Sequence, residues 1–251
     1  HGLWDRDVCC AGVICDIPHD GKIVKAIAQP TKQGYVYVLD RATGKPVFPI
    51  PEKKVAKGDV PGEWYSPTQP IPSSPPPFAK QGMNANELVD WTPQIKARAL
   101  EIASHYHLGS LYDPPPLVSD KLFGGLCLPG MQGGINWPGA SYDPETNMLY
   151  LFAKNEMGVI GARVTPDGKV VPSGGPPAAG SADSGGGSFG GVASLKGVPG
   201  FFRGSRKSDG LNDPIVPGMI SIEGIPLMKP PYGTITALDL GKGTLVWQIV
   251  H

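Results

Sequence analysis

The hydrophobic residues of this sequence fall in short runs that are bounded by turn residues. Residues 23–28 alternate between apolar and polar side chains, and residues 35–39 are followed by a turn and by the apolar residues 46–48. This order predicts a β-hairpin, because alternation with a period of two is typical of a half-buried strand. Further strand-turn-strand units follow at residues 140–152 and 233–250. The chain is therefore expected to consist mainly of short β-strands.

The last of these units contains a spacing of residues that also occurs earlier in the chain. Residues 237–247 fit the motif A-x-D-x-x-x-G-x-x-x-W, and residues 38–48 are a degraded copy that ends in Phe48. In such a turn the Asp accepts hydrogen bonds from nearby amides, the Gly takes a positive φ, and the aromatic residue wedges between neighbouring sheets. Repeats of this kind close radially into β-propellers. The sequence therefore predicts an all-β propeller segment of about four blades, with four-stranded antiparallel sheets and with Trp247 packed between two of them.

Long connecting segments lie between the strand units. Residues 51–110 are predicted to form an insertion, in which the Pro-rich residues 51–77 run extended over the surface and residues 84–107 contain a helix. A Thr-Pro pair inside this insertion is a helix start signal. Apolar residues at helical spacing follow it at Ile95, Ala99, Ile102, Ala103 and Tyr106. Residues 173–191, rich in Gly, Ser, Ala and Pro, are predicted to form a low-complexity surface loop.

Composition supports this fold class and excludes some functions. The 251 residues include 35 Gly and 29 Pro, which favours turns and short elements over long helices. Lys and Arg number 22, as do Asp and Glu, so no bulk positive charge is available to bind nucleic acid. No apolar run reaches the ~18 residues that a membrane-spanning helix needs, so membrane contact is expected only through segments outside this sequence. The start at His1 lacks a signal-peptide pattern, and we expect the beginning of the protein to be processed, truncated or not observed.

Two segments carry a resemblance to a known family. They are residues 2–7, Gly-Leu-Trp-Asp-Arg-Asp, and residues 30–41, in which Lys32 precedes a glycine and a strand. They resemble segments of the membrane-type glucose dehydrogenases that depend on pyrroloquinoline quinone (PQQ), and the separation of Asp5 and Lys32 is the one that this family uses. Further similar segments, in the family's order, are residues 66–70, residues 133–137 leading into Asp143-Pro144, and residues 229–233.

The resemblance implies a quinoprotein dehydrogenase, an oxidoreductase that oxidises a sugar or alcohol hydroxyl with PQQ. Glucose or another aldose is the first expected substrate, with polyols and other alcohols after it. The family's domain is a propeller of eight blades, so residues 1–251 would form a partial domain that is expected to be inactive alone. The implied cofactors are PQQ and Ca²⁺ or Mg²⁺, and the implied electron acceptor is ubiquinone or a cytochrome. The implied location is the bacterial periplasm, with possible anchoring to the inner membrane through parts outside this sequence.

Asp5 and Lys32 are the residues to which the resemblance assigns chemistry. Oxidation of an alcohol through PQQ needs a base that takes the hydroxyl proton while hydride passes to the quinone, and the family assigns this role to the Asp that matches Asp5, beside the metal. The family places the lysine that matches Lys32 against the ortho-quinone, where its charge stabilises the reduced cofactor. From spacing alone, Asp5 is also compatible with a turn-capping residue and Lys32 with a solvated turn lysine. With the resemblance, we expect both side chains to converge near the propeller axis.

Asn136 and Trp137 are further candidates for cofactor contact. They lie between a Gly pair and a Pro, where a closely held backbone can present an amide to a ligand. Similar positions in quinoprotein alcohol dehydrogenases approach the cofactor, whereas the glucose dehydrogenases vary here. Trp137 is equally compatible with an ordinary aromatic residue between two blades.

The sequence does not decide whether the cysteines are paired in disulfides. Cys9, Cys10, Cys15 and Cys127 form no C-x-x-C motif and give no zinc signal, and their spacing is compatible with disulfides or with buried thiols. The Cys9-Cys10 pair stands where the family usually has Pro or small residues. The vicinal disulfide of some quinoproteins belongs to an earlier part of their sequence, so we interpret this pair as structural.

A non-catalytic role is the main alternative function. Quinoprotein-like repeats also occur in scaffold and assembly modules that have lost redox chemistry. Such a scaffold has no reason to keep Asp5 and Lys32 at the family's spacing. Absorption of bound PQQ in the near ultraviolet distinguishes the enzyme from the scaffold.

Overall fold

The computed structural model describes residues 6–173, 220–222 and 224–251, and the structural statements below concern these residues. They form fifteen β-strands, one α-helix, α1 (Pro93–Ala103), and one short 3-10 helix (Ala85–Glu87). The strands, in chain order, are β1 (Val13–His19), β2 (Lys22–Pro30), β3 (Val36–Asp40), β4 (Glu52–Lys54), β5 (Thr68–Pro70), β6 (His107–Leu108), β7 (Gly125–Cys127), β8 (Ala140–Asp143), β9 (Met148–Lys154), β10 (Gly158–Val164), β11 (Val170–Ser173), β12 (Ser221–Ile222), β13 (Ile225–Pro226), β14 (Gly233–Asp239) and β15 (Thr244–Val250). The mainly β architecture predicted from the sequence is confirmed.

β1, β2 and β3 form an antiparallel three-stranded sheet, which we call the first sheet. Ala28 of β2 pairs with Val38 of β3. An isolated β-bridge between Leu39 and Pro46 adds a short segment beside β3. Buried and exposed residues alternate along these strands, because successive side chains point to opposite faces. The hairpin predicted from this part of the sequence is confirmed.

β8, β9, β14 and β15 form the second sheet, in that order from edge to edge and antiparallel throughout. The strand units at residues 140–152 and 233–250 therefore belong to one sheet, although residues 155–232 separate β9 from β14. A four-stranded antiparallel sheet is the unit of a propeller blade, as predicted. The number of blades stays a prediction, because residues 174–219 lie outside the described residues.

The motif turns of the two sheets have the same hydrogen bonds. Oδ1 of Asp40 accepts hydrogen bonds from two backbone N–H groups of its own turn, at 2.8 and 2.9 Å. Oδ1 of Asp239 accepts two from its turn, both at 3.0 Å. Gly44 and Gly243 have φ values of +72° and +67°. The roles predicted for the Asp and the Gly of the motif are confirmed in both copies.

The aromatic residues of the two motif copies differ in their packing. Phe48 is buried between the first sheet and the motif turn of the second, where a Cβ on Gly243 would lie 2.7 Å from its ring. Trp247 packs against Tyr150, with ring centroids 5.9 Å apart, but it remains 39% exposed. The prediction that Trp247 lies between two sheets is therefore wrong, because among the described residues its ring contact is with Tyr150 of β9, a strand of its own sheet.

β6, β7, β10 and β11 form the third sheet, in the order β11-β10-β7-β6. The pairs β10–β11 and β10–β7 are antiparallel, whereas β6–β7 is parallel. The prediction of antiparallel sheets is wrong at this edge. Residues 109–124 cross over between β6 and β7, so that the two strands run in the same direction.

α1 begins and packs as the sequence predicts. Oγ1 of Thr92 accepts a hydrogen bond from the backbone N–H of Ile95 at 3.1 Å, and a proline follows the cap. Ala99 and Ile102 are buried in the apolar cluster beside the third sheet. No helix of the described ranges is long and apolar enough to cross a membrane.

The rest of the predicted insertion contains a short ribbon. β4 and β5 pair with each other inside the Pro-rich residues 51–77, and β4 is exposed along its length. The limits 51–110 of the insertion stay a prediction. The predicted loop 173–191 lies, after its first residue, outside the described residues.

Two apolar clusters hold these elements together. The first joins the first and second sheets through buried side chains of both, including Ile17, Val36, Leu149 and Leu238. Burial of one such side chain stabilises the fold by about 1.5–3 kcal/mol relative to exposure, so the two sheets are held face to face. The second cluster lies around α1 and the third sheet.

Candidate functional site

Three segments of the chain meet at one end of the first and second sheets. They are residues 6–10, which precede β1, residues 29–34, at the end of β2 and the turn to β3, and residues 129–139, which precede β8. We call them the three-segment site. In an antiparallel sheet the start of one strand lies beside the end of its neighbour, so the strand order brings these segments together. The motif turns lie at the opposite end of both sheets.

Lys32 lies in the turn between β2 and β3, yet its side chain is only 8% exposed. The N–H of Gly34 donates to the carbonyl oxygen of Thr31 at 2.9 Å, and Gly34 has a φ of +86°. This tight turn directs the lysine inward instead of into solvent. The alternative of a solvated turn lysine is therefore wrong.

A pair of glycines packs directly against Lys32. The N–H of Gly134 donates to the carbonyl oxygen of Lys32 at 2.8 Å. At Gly133, whose φ is +79°, an added Cβ would lie 2.5 Å from Cγ of Lys32. The Gly pair was expected to allow close approach of the backbone to a ligand. In the structure it allows close approach of the backbone to this lysine.

Asp7 supplies a counter-charge to Lys32. Its Oδ1 accepts from Nζ of Lys32 at 2.7 Å, and the Asp7 side chain is 57% exposed. A buried ammonium loses its hydration, which is costly unless an opposite charge lies close to it. Sequence reasoning missed Asp7 as a site residue. Its position two residues after Asp5 was the available signal, but spacing alone does not show which carboxylate reaches the lysine.

The segment that carries Asp7 is anchored at Arg6, the residue before it. Nη1 of Arg6 donates to the carbonyl oxygens of Pro129 and Gly130, at 2.8 and 3.2 Å. Nε2 of Gln33 donates to the carbonyl oxygen of Arg6 at 3.3 Å. Residues 6–10 are thus attached to both of the other segments of the site.

The cysteines of the first segment are free thiols. Cys10 is buried, its Sγ lies 3.2 Å from the carbonyl oxygen of Pro30, and its own carbonyl oxygen accepts from Gln29 at 2.9 Å. Burial raises the pKa of Cys10, so the thiol stays protonated near neutral pH. Cys9 Sγ lies 3.9 Å from the carbonyl oxygen of Ile135. These contacts agree with the structural interpretation of the pair.

Asn136 and Trp137 lie in the third segment but make different contacts from those expected. Oδ1 of Asn136 accepts from the N–H of Trp137 at 2.9 Å, and its Nδ2 donates to the carbonyl oxygen of Gln132 at 3.0 Å. The Asn136 amide therefore braces its own loop. Trp137 is 83% exposed, which contradicts the interpretation as an aromatic residue between blades. The loop nevertheless belongs to the site, because Gly139 approaches Cys10.

Asp5 lies outside the described residues. Its convergence with Lys32 and its roles as base and metal ligand therefore stay predictions. In the part of the chain that the structure describes, no group of three or more His, Cys, Asp or Glu side chains lies together as a metal site.

Comparison with known proteins decides the family. The model of the PQQ glucose/ethanol/alcohol dehydrogenase β-propeller domain matches residues 1–251. The chain belongs to this family. The resemblance carried by residues 2–7 and 30–41 is thereby confirmed, as is the propeller fold class.

Curated members of the family differ in the substrates that their names give. The chain is 30% identical to a quinate/shikimate dehydrogenase (quinone) of Acinetobacter baylyi, over 98% of this chain and 28% of that protein. It is 31% identical to a quinoprotein glucose dehydrogenase of Gluconobacter oxydans, over 99% of this chain and 29% of that protein. It is 29% identical to the glycerol dehydrogenase large subunit of Gluconobacter thailandicus, over 98% of this chain and 32% of that protein. The chain thus spans less than a third of the length of these relatives.

Proposed function

We propose that this chain supplies one part of the cofactor site of a PQQ-dependent dehydrogenase that oxidises a sugar or alcohol hydroxyl. The observation that carries the proposal is the buried ammonium of Lys32, held among three segments at one end of two propeller sheets. A lysine that only kept a turn soluble would not be buried. A fixed positive charge in a site of low dielectric is suited to an anionic or quinoid ligand.

The residues of the three-segment site fit PQQ in their chemistry. When bound, PQQ supplies the redox chemistry, because it accepts the two electrons of the alcohol carbon. Lys32 would hold its oxygen atoms, since an ammonium combines a positive charge with N–H donors. Gly133 and Gly134 hold the base of Lys32 in place by close backbone contact. Asn136 and Trp137 would contribute from the loop that borders the lysine.

Asp5 is the proposed base and a proposed ligand of Ca²⁺ or Mg²⁺. The ion pair of Asp7 with Lys32 supports this assignment, because covalent geometry limits the Cα atoms of Asp5 and Asp7 to a separation of about 7 Å. Asp5 would accept the hydroxyl proton of the substrate at a carboxylate oxygen. The other metal ligands would come from parts of the propeller outside this chain.

The substrate, the electron acceptor and the location are proposed on the similarity to relatives. Their names include quinate, shikimate, glycerol and glucose, so a polyhydroxylated alcohol or sugar is the substrate class that we propose. A quinone is the proposed acceptor, since it appears in the name of the quinate/shikimate enzyme, and a cytochrome is the other candidate. We place the protein in the bacterial periplasm, with any membrane attachment outside this chain.

The test uses the full-length product of the gene, loaded with PQQ and Ca²⁺ and assayed by dye reduction with glucose, quinate and glycerol. Asp5→Asn should keep PQQ binding and lose about 10²–10⁴-fold in kcat, because the amide cannot accept the proton. Lys32→Ala should lower both PQQ affinity and rate. Near-ultraviolet absorption reports the bound cofactor. A wild-type protein that binds no PQQ would instead support a non-catalytic scaffold.

A further inference from the structure

Residues 78–82 lie against the turn between β2 and β3, and we call them the supporting segment. The N–H of Phe78 donates to the carbonyl oxygen of Gly34 at 2.9 Å. Nε2 of Gln81 donates to the carbonyl oxygen of Gln33 at 2.8 Å. The supporting segment thus binds two consecutive carbonyl groups of the turn, so its position affects where the turn lies.

The supporting segment also contacts the backbone that packs against Lys32. An added Cβ at Gly34 would lie 2.8 Å from Cβ of Ala79, and one at Gly134 would lie 2.6 Å from the same atom. Both close approaches depend on the missing Cβ of glycine. Gly134 in turn donates to the carbonyl oxygen of Lys32 at 2.8 Å. Ala79 therefore touches both the turn that carries the lysine and the loop that contacts it.

The supporting segment lies outside the helices and strands, so other contacts must keep it in place. The carbonyl oxygen of Phe78 accepts a hydrogen bond from a glutamine side chain of β15 at 3.0 Å. The N–H of Gly82 donates to the carbonyl oxygen of the residue after β7 at 2.7 Å. These bonds hold the two ends of the segment. Its middle is held by Asn155, whose Oδ1 accepts from the N–H of Lys80 at 2.9 Å.

Asn155 is itself firmly held. It follows β9 directly and is only 2% exposed. Its Nδ2 donates to the carbonyl oxygen of Pro231 at 3.2 Å, and its backbone N–H donates to the carbonyl oxygen of Tyr232 at 2.8 Å. The amide oxygen thus faces an N–H and the amide nitrogen faces a carbonyl group, so both halves of the side chain are used. Asn155 therefore joins the end of β9 to the supporting segment.

We propose that Asn155 is a positioning residue, which acts through residues 78–82 to hold the turn of Lys32 where the ammonium meets a quinone cofactor. The proposal rests on the proposed function. Asn155 acts through the backbone and not by contact with the reacting atoms. Binding sites need their contact residues held in place by a supporting layer, so a displaced turn should lower cofactor affinity as well as stability.

The experiment measures the PQQ dissociation constant of the full-length protein by fluorescence quenching, together with Tm. Asn155→Leu has a similar shape without hydrogen-bonding groups and should raise Kd about tenfold. Asn155→Asp should recover part of the affinity, because a carboxylate oxygen can still accept from the N–H of Lys80. Asn147→Ala, at the other end of β9, is the matched control. It removes a hydrogen bond from the Tyr142 hydroxyl at 3.0 Å and should lower Tm without changing Kd.

A double-mutant cycle separates positioning of the lysine from a general loss of structure. In a Lys32→Ala background, Asn155→Leu should cause little further loss of PQQ affinity. Equal losses with and without the lysine would overturn the proposal. Wild-type affinity in Asn155→Leu would overturn it too, as would an affinity of Asn155→Asp no better than that of Asn155→Leu.

Gln81→Leu decides the matter if Asn155→Leu does not fold. It removes the hydrogen bond between the supporting segment and the carbonyl oxygen of Gln33, and it should also raise the Kd for PQQ. Unchanged affinity in Gln81→Leu would reject the proposal, because the segment would then have no influence on the turn. A wild-type protein that binds no PQQ would reject the proposed function itself. A wild-type protein that binds PQQ no better than these variants would reject this inference alone.

Discussion

At the residue scale, Gly133 and Gly168 share a backbone conformation but differ in what surrounds them. Their φ values are +79° and +81°. An added Cβ would lie 2.5 Å from Lys32 Cγ at position 133, and would have nothing within 4 Å at position 168. A change of either residue to Ala brings the same strain of a positive φ. The difference between the two changes therefore isolates the contact with Lys32.

Gly133→Ala is expected to weaken PQQ binding and to destabilise the protein, because the new methyl group must displace the Lys32 side chain or its own loop. Overpacking of this kind costs about 1–3 kcal/mol in the free energy of unfolding. Gly168→Ala should lower Tm slightly and leave PQQ affinity intact. PQQ titration and thermal unfolding of both variants measure these effects. Equal PQQ affinity of the two variants would show that the contact between residue 133 and Lys32 does not affect cofactor binding.

The same site shows what a sequence can and cannot predict about single residues. Lys32 was predicted from the resemblance of residues 30–41 to a segment of the quinoprotein family, because its local position alone is equally compatible with a solvated turn lysine. Its burial and its pairing with Asp7 depend on segments that are far apart in the chain, and no local signal reports such contacts. Trp137 shows the same limit, since its exposure follows from how residues 129–139 cross the end of the two sheets.

At the element scale, the motif turns were predictable and the sheet order was not. Asp40 and Asp239 accept hydrogen bonds from the backbone N–H groups two and three residues ahead. The four residues of each turn are therefore enough to predict its structure. β9 and β14, in contrast, pair across residues 155–232, and the two strand units appeared in the sequence as separate hairpins. The parallel pair β6–β7 escaped prediction because its strands are very short and are joined by a long crossover.

The two motif glycines provide a prediction about the packing between elements. Gly44 has nothing within 4 Å of an added Cβ, whereas at Gly243 that atom would lie 2.7 Å from the ring of Phe48. Gly44→Ala should cost about 1–2 kcal/mol of unfolding free energy through the positive φ alone. Gly243→Ala should cost about 1–3 kcal/mol more, because it also pushes the aromatic wedge. Chemical denaturation of both variants measures the difference in unfolding free energy. Equal losses would show that the Phe48 ring can move aside without cost.

At the scale of the whole molecule, the second sheet ends in a strand that is exposed on both faces. Every residue of β15 is exposed, among them Val246, Trp247 and Ile249. The edge strand of a sheet offers unpaired backbone N–H and C=O groups, and apolar side chains along it favour association with another edge. Among the described residues, β15 combines both properties.

This arrangement predicts that the 251-residue chain, produced alone, self-associates through β15. Val246→Lys should reduce the association measured by sedimentation, because a charge on an edge strand opposes pairing with a second copy. Val164→Lys is the matched control: the two valines are 50% and 47% exposed, but β10, which carries Val164, has a strand on each side. The control should associate as the unchanged chain does, since Val164 lies outside β15 and pairs with Val170 of β11. If both variants associate less, and to the same extent, the cause of association is surface hydrophobicity in general. If Val246→Lys does not change the association, β15 does not form the contact.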